Sequence, residues 1–416
     1  MPAHHNTKID LAEFKRGYKV LLVSIVGVIT SGAVSPLYTF GPFVQPLQQA
    51  FGWSRGDVQS AMTFFFIGLM LSSLAAAWLI ARFGLRRAGM GSAIGLAVGY
   101  ALMTQMTPSV WTLYAGYFLL PMIAAGTQMV TWTQLVSLWF VKNRGLALAL
   151  VLTGTGLCTL LITPQVARIV ASSGWQSAYL FLAVLPVLIT MPLIFFWMPN
   201  QGPALAAETT AAVAATPHPA AEINQPTFAT PQFWIITFGL AFTVIGILGM
   251  LTNAVPLMID NGIAATTAAS IFGSYGIALI VGRMGAGYLI DRLWAPGVAF
   301  VTLTLPAIGC VIFALQTDNT LWLVLASLLI GIGAGAEFDF ASFLVARYFG
   351  VRHYSRNFSV FYAVSTLFTC ITPFVFGRIY DVTGSYQTML WICTACFLVG
   401  PSLLLFLGPY PDTQKT

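Results

Sequence analysis

Residues 58–87 read VQSAMTFFFIGLMLSSLAAAWLIARFGLRR. No charged side chain occurs from position 58 to position 81, and then Arg82, Arg86 and Arg87 follow in quick succession. A helix needs roughly 20 apolar residues to cross the hydrocarbon core of a bilayer. This run is long enough, and its cations belong in the water at one membrane face. The whole chain is written in this way. Hydrophobic residues fill 58% of its 416 positions and charged residues 7%, where a soluble domain carries roughly a quarter. A surface so poor in charge cannot stay dissolved in water, so the lipid bilayer is its solvent. The expected fold is an all-α membrane protein.

Apolar runs of crossing length fall at 18–43, 58–81, 89–106, 110–140, 144–171, 176–198, 231–257, 265–290, 296–315, 321–349, 355–379 and 386–407, which makes twelve. Between the sixth and seventh, residues 200–230 are rich in Ala, Pro and Thr and cannot bury a core, so they read as a linker. The chain therefore divides into a tail (1–17), a six-helix half (18–199), the linker, a second six-helix half (231–408) and a short tail (409–416). Lys8, Lys15, Arg16 and Lys19 precede the first run, and Arg82, Arg86 and Arg87 follow the second. Lys142 and Arg144 follow the fourth, Arg292 the eighth, and Arg352 and Arg356 the tenth. With twelve crossings these clusters share one side, while the opposite loops carry Arg55 and few other cations. Basic loops stay in the cytoplasm, which puts both termini and the linker there. The net charge of +6 thus reports topology, and nucleic acid is not an expected partner. The first 19 residues show no cleavage-site pattern and read as a cytoplasmic tail.

The halves repeat each other. At an offset of 209, Gly126 meets Gly335, Leu135 meets Leu344, Val136 meets Val345, and the pairs Thr163-Pro164 and Thr372-Pro373 coincide. At an offset of 210, Ala77 meets Gly287 and Arg82 meets Arg292. Two parallel six-span repeats are an architecture of secondary transporters that rock around a central site.

The loop after the second run, Ala77-x-x-x-Ala81-Arg82-Phe83-Gly84-Leu85-Arg86-Arg87, and its counterpart Gly287-Tyr288-Leu289-Ile290-Asp291-Arg292 both resemble the GxxxDRxGRR loop of the major facilitator superfamily. The resemblance implies the major facilitator fold: twelve transmembrane helices in two six-helix bundles related by a pseudo-twofold axis. It also implies a conformational seam in which Asp291, Arg292, Arg82 and Arg86 take part. The first copy has Ala81 where the motif has its acid, so only the second seam keeps one, Asp291, facing Lys142 or Arg144. Phe51-Gly52-Trp53-Ser54-Arg55, Thr230-Pro231-Gln232-Phe233-Trp234, and the run from Asp260-Asn261-Gly262 to Val281-Gly282-Arg283-Met284-Gly285-Ala286-Gly287 are similar to bacterial monocarboxylate and oxalate/formate porters. That likeness implies a bacterial inner-membrane protein in which Arg283 holds the substrate carboxylate.

A charge inside a span costs about 3 kcal/mol on insertion scales, so each one asks for a purpose. Arg283 offers a planar fork that fits a carboxylate; the plainer reading is an ion pair with a neighbouring helix. Glu337 and Asp339 lie two residues apart, about 200° around a helix, so they cannot both face one cavity. Either could carry a coupling proton; the plainer reading of Glu337 is a permanent pair with Arg283 or Arg347. Arg168 and Arg378 lie near span ends, where long side chains reach the interface, and Asp381 is close enough to pair with Arg378. Uncharged candidates for the substrate site are Tyr38, Asn253, Gln128, Trp132, Tyr362 and Thr366; Tyr38 and Asn253 each carry a polar group that needs a partner at depth. Packing is the more frequent use of such aromatics.

Cys158, Cys310, Cys370, Cys393 and Cys396 fall inside apolar runs and read as buried thiols. His4, His5, His218 and His353 are scattered, so no metal site or cofactor is expected, and the pattern is that of a transporter, not an enzyme. The expected function is secondary active transport of a small organic anion, a monocarboxylate, as a monomer, by proton symport and alternating access. One cavity arginine suits one carboxylate, and residues 359–372 hold no Lys or Arg to match a second. The alternative is a proton-driven exporter of a cationic or amphipathic compound, with Glu337 and Asp339 as the cation site.

Overall fold

The computed structural model describes residues 11–140, 143–198, 230–290, 292–349, 354–408 and 410. The linker, most of both tails, Lys142 and Asp291 lie outside the described residues. Every regular element described is helical, and eight helical runs are long and apolar enough to cross a membrane. In chain order these helices are α1 (Leu11–Ile29), α2 (Ser35–Tyr38), α3 (Val44–Phe51), α4 (Arg55–Met103), α5 (Val110–Ile123), α6 (Met129–Trp139), α7 (Arg144–Leu152), α8 (Gly154–Leu157), α9 (Thr163–Leu185) and α10 (Met191–Trp197). After the linker come α11 (Pro231–Asp260), α12 (Ala265–Ile290), α13 (Ala295–Ala314), α14 (Thr320–Phe349), α15 (Tyr354–Thr383) and α16 (Gln387–Leu404).

Two runs are too long for one crossing. Arg55–Met103 holds 49 residues and Arg144–Trp197 holds 54, so either would exceed roughly 70 Å if straight. Each reverses at a glycine with positive φ, Gly84 (φ 79°) and Gly174 (φ 82°), a conformation that a Cβ disfavours. The contacts confirm the reversals. The indole nitrogen of Trp53 donates to the carbonyl of Pro108 at 2.8 Å, so the chain has come back by residue 108. Trp175 packs against Phe51, and Trp197 against Tyr18.

The first and fourth expected crossings are broken, and the breaks face each other. Helix α1 stops at Ile29, and the path resumes at α2 with Pro36 in its first turn. The Gly32 amide donates to Thr127 Oγ1 at 3.2 Å, and the Gly126 amide to Ser92 Oγ at 2.9 Å. Irregular backbone at membrane depth is tolerated where protein groups satisfy it, and these hydroxyls do so.

Packing between helices rests on small residues, because lipid tails give no net drive to bury apolar surface. Gly156 and Gly276 meet so closely that a Cβ on either would strike the other's carbonyl oxygen. The buried side chains form three cores. One joins both halves of the chain, with Phe40, Phe43, Trp53 and Tyr179 beside Leu251, Met258, Tyr275 and Tyr386. The other two each belong to one half: Val20, Trp132, Phe140 and Ile194 in the first, and Ile236, Phe340, Leu344 and Phe361 in the second. The halves are therefore fused at the end away from the termini and separately packed at the end that carries them.

Candidate functional site

Arg283 stands where α12 crosses α14. Gly331 and Gly335 on α14 lie against the backbone of Tyr275 and Leu279, so the two helices approach closely and Asp339 comes within reach of the arginine. Arg283 Nε lies 3.7 Å from Asp339 Oδ2. That is an ion-pair separation and too long for a hydrogen bond, and Nε has no hydrogen-bond partner. Nη1 donates to the Leu152 carbonyl at 3.0 Å, reaching from the second half of the chain into the first. The guanidinium is thus mostly buried, loosely paired and left with spare donors.

Asp339, one-third exposed, takes the side of α14 that faces Arg283. No hydrogen bond or ion pair among the described residues ties Glu337, which is half-buried. Tyr38, Tyr275 and Tyr362 lie within electrostatic reach of Glu337, and Tyr38 and Tyr275 within that of Arg283 as well. Tyr38 sits on α2, whose placement Thr163 fixes by donating from Oγ1 to the Tyr38 carbonyl at 3.0 Å. One cation, two acids and three phenols from α2, α12, α14 and α15 thus gather in one region. Tyr275 did not stand out in the sequence, where it is one aromatic in an apolar run.

The other expected residues hold varied positions. Asn253 is buried and saturated: its amide donates to Gly249 O at 2.9 Å and Thr252 Oγ1 at 3.0 Å, and its oxygen accepts from Gln59 at 3.0 Å. It clasps α11 to α4. Gln128 donates to Ser72 Oγ at 2.8 Å, inside the first half. Trp132 is fully buried against Gly27 and donates to Thr127 O at 2.9 Å. Tyr362 is 52% exposed, and Thr366 donates to its carbonyl at 2.7 Å. Arg86 donates to Phe195 O at 2.5 Å, Arg292 donates to Tyr288 O at 3.1 Å, and Arg82 is exposed. Those three arginines make no bond to the opposite half among the described residues. The five cysteines are free.

A second polar cluster, of which the sequence pointed only to the Arg378–Asp381 pair, closes the far end. Arg55, at the start of α4, is 4% exposed and pairs through Nη2 with Asp260 Oδ2 at 2.9 Å. Its Nη1 donates to the Tyr386 hydroxyl at 2.7 Å, and Tyr380 lies under the guanidinium at 4.7 Å. The Tyr380 hydroxyl and the Gln45 amide also donate to Asp260. Asp381 of α15 accepts from the Gly56 amide, at 3.1 Å and 3.0 Å to its two oxygens, and from Ser54 Oγ at 2.9 Å. A carboxylate at a helix N-terminus meets free amides and the positive end of the helix dipole. Arg378 pairs with Asp57 and with Asp381, each at 3.7 Å. The available signal was Arg55 itself, a cation on the side whose loops carry few others, with an acid, Asp260, at the corresponding end of α11.

The profile of the Major Facilitator Superfamily matches residues 23–373. The chain is 23% identical to the uncharacterized MFS-type transporter YcxA of Bacillus subtilis, across 95% of this chain and 96% of that protein. It is 23% identical to the MFS transporter asaE of Aspergillus flavus, across 92% of this chain and 77% of that one. It is 22% identical to monocarboxylate transporter 12-B of Danio rerio, across 81% and 74%. The match over most of the length, the apolar helices and the reversals at Gly84 and Gly174 agree: this multi-pass membrane protein belongs to the Major Facilitator Superfamily, whose members are transporters and not enzymes.

Proposed function

We propose that this transporter carries a small monocarboxylate together with a proton, by alternating access across twelve crossings in two six-helix bundles, with both termini in the cytoplasm. The observation that carries the reading is Arg283: a mostly buried guanidinium with one loose acid partner and an unused Nε donor. A planar fork with free donors is what a carboxylate engages. The name of the Danio rerio relative, a monocarboxylate transporter, supports the same class. The span beside the site, residues 359–372 of α15, holds no Lys or Arg, so the site has one cation for one charge.

In this reading Asp339 keeps Arg283 occupied when no solute is bound, and the solute displaces it. Glu337, unpaired and close to three phenols, takes the coupling proton. The far-end cluster around Arg55 and Asp260 is the closed gate, and the split cores at the termini end mark the open side. Direct binding tests the reading. Small monocarboxylates should raise the melting temperature of the purified protein saturably, and their neutral amides should not. Equal responses to acid and amide would remove the carboxylate.

Glu337 also favours one second reading. An unpaired intramembrane acid could hold a cation, which would make the protein an exporter of cationic or amphipathic compounds. Binding of such a cation, lost in Glu337→Gln and insensitive to carboxylates, would select that reading.

A further inference from the structure

The side of α12 opposite the transport site ends in a basic cleft. Ile277, Val281, Met284 and Tyr288 are all exposed. At about 100° per residue they fall in one narrow stripe, and Arg283 points roughly 130° away from it. An apolar stripe on the outside of a membrane helix is in contact with lipid. Just past its lower end, Arg292, Trp294, Phe343, Arg347 and Tyr410 line a cleft of about 540 Å³. Arg292 lies over the Tyr288 ring at 3.7 Å, and Arg347 over the Tyr410 ring at 4.8 Å. Tyr410 is itself fixed by accepting from the Ala295 amide at 2.8 Å.

Among the described residues no carboxylate pairs with Arg292 or Arg347. Asp291, next to Arg292 in the sequence, and Asp412, two residues beyond Tyr410, lie outside the described residues. Two guanidiniums, steered by fixed rings and paired with no acid among the described residues, converge on one opening at the level where Trp and Tyr mark the membrane interface. Guanidinium forks match phosphate oxygens. A free phosphate would need only the cations, whereas here the cations terminate an acyl-length apolar track.

We propose that this cleft binds the headgroup phosphate of an anionic phospholipid from the leaflet on the side of the termini, with one acyl chain lying along Ile277, Val281, Met284 and Tyr288. Basic pockets at the ends of membrane helices hold such headgroups by charge, and the apolar track selects lipid over soluble anions.

Native mass spectrometry and thermal unfolding of the purified full-length protein test this, with phosphatidylglycerol, phosphatidylcholine and inorganic phosphate as probes. Phosphatidylglycerol should be retained in preference to phosphatidylcholine and should raise the melting temperature, and inorganic phosphate should do neither. The double variant Arg292→Gln with Arg347→Gln should lose roughly tenfold of the phosphatidylglycerol retention. Either single variant, with one guanidinium left, should retain an intermediate amount, so the test does not depend on the double variant folding. Arg87→Gln, at an exposed arginine away from the cleft, should behave as the wild type. Equal retention of the two lipids, or undiminished retention in the single and double variants, would overturn the proposal. A melting-temperature rise with inorganic phosphate that matches the lipid's would overturn the lipid in favour of a free anion.

Discussion

Arg283 meets Asp339 through a pair that is partly exposed and 3.7 Å long. Such pairs are worth about 0.2–1 kcal/mol, which makes Asp339 a weak competitor that a solute can displace. Asp339→Asn should therefore tighten carboxylate binding roughly two- to fivefold, read as Kd by titration; weaker binding would mean that the acid assists the solute. Glu337 has a different expected role. Glu337→Gln should keep solute exchange and lose accumulation driven by a pH gradient, and normal accumulation by that variant would remove Glu337 from coupling. Arg283 was legible in the sequence because it is a lone cation deep in an apolar run. Its partner was not. The helical angle between positions 337 and 339 says that one acid faces the arginine, but the choice of Asp339 depends on how closely glycines let α14 approach α12. Asn253 shows the same limit: its need for a polar partner was readable, but the partner, Gln59, comes from the other half of the chain.

Among the elements, the second half follows its hydrophobic pattern closely. The expected run 265–290 coincides with α12, and the run 321–349 differs from α14 by one residue at its start. The first half departs more, because long apolar stretches at 18–43 and 110–140 do not say where a helix will break. Ser31, Gly32 and Gly126 mark those breaks, and each is an ordinary residue for a continuous membrane helix. What makes the breaks stable is the cross-helix bond from the Gly32 amide to Thr127, which is tertiary information. The crossing of α4 and α15 makes a testable element. A Cβ on Gly377 would come 2.7 Å from the Gly56 Cα, where Asp381 also caps α4. Gly377→Val should push the helices apart and lower stability by about 1–3 kcal/mol, seen as a reduced melting temperature. An unchanged melting temperature would show that the crossing has room to spare.

Across the whole molecule, one core fuses the halves at the far end and two separate cores fill the end that carries the termini. In the proposed alternating access, exchange requires the far-end polar cluster to break. Removing one partner of a buried pair leaves an uncompensated charge, at a cost of about 3–5 kcal/mol. Arg55→Ala should therefore shift the population toward a far-end-open form. Cys370, half-buried, with its carbonyl accepting from Thr63 Oγ1 at 2.6 Å across the halves, should then react faster with a thiol reagent than in the wild type. An unchanged rate would mean that the pair does not hold the gate. The central claim is that Arg283 receives a carboxylate during transport, and uptake into proteoliposomes measures it most directly. A labelled small monocarboxylate should accumulate saturably with wild-type protein under an inward proton gradient. It should enter with lower affinity through Arg283→Lys, and should show no saturable uptake through folded Arg283→Ala. Saturable monocarboxylate uptake by Arg283→Ala at the wild-type affinity would contradict it.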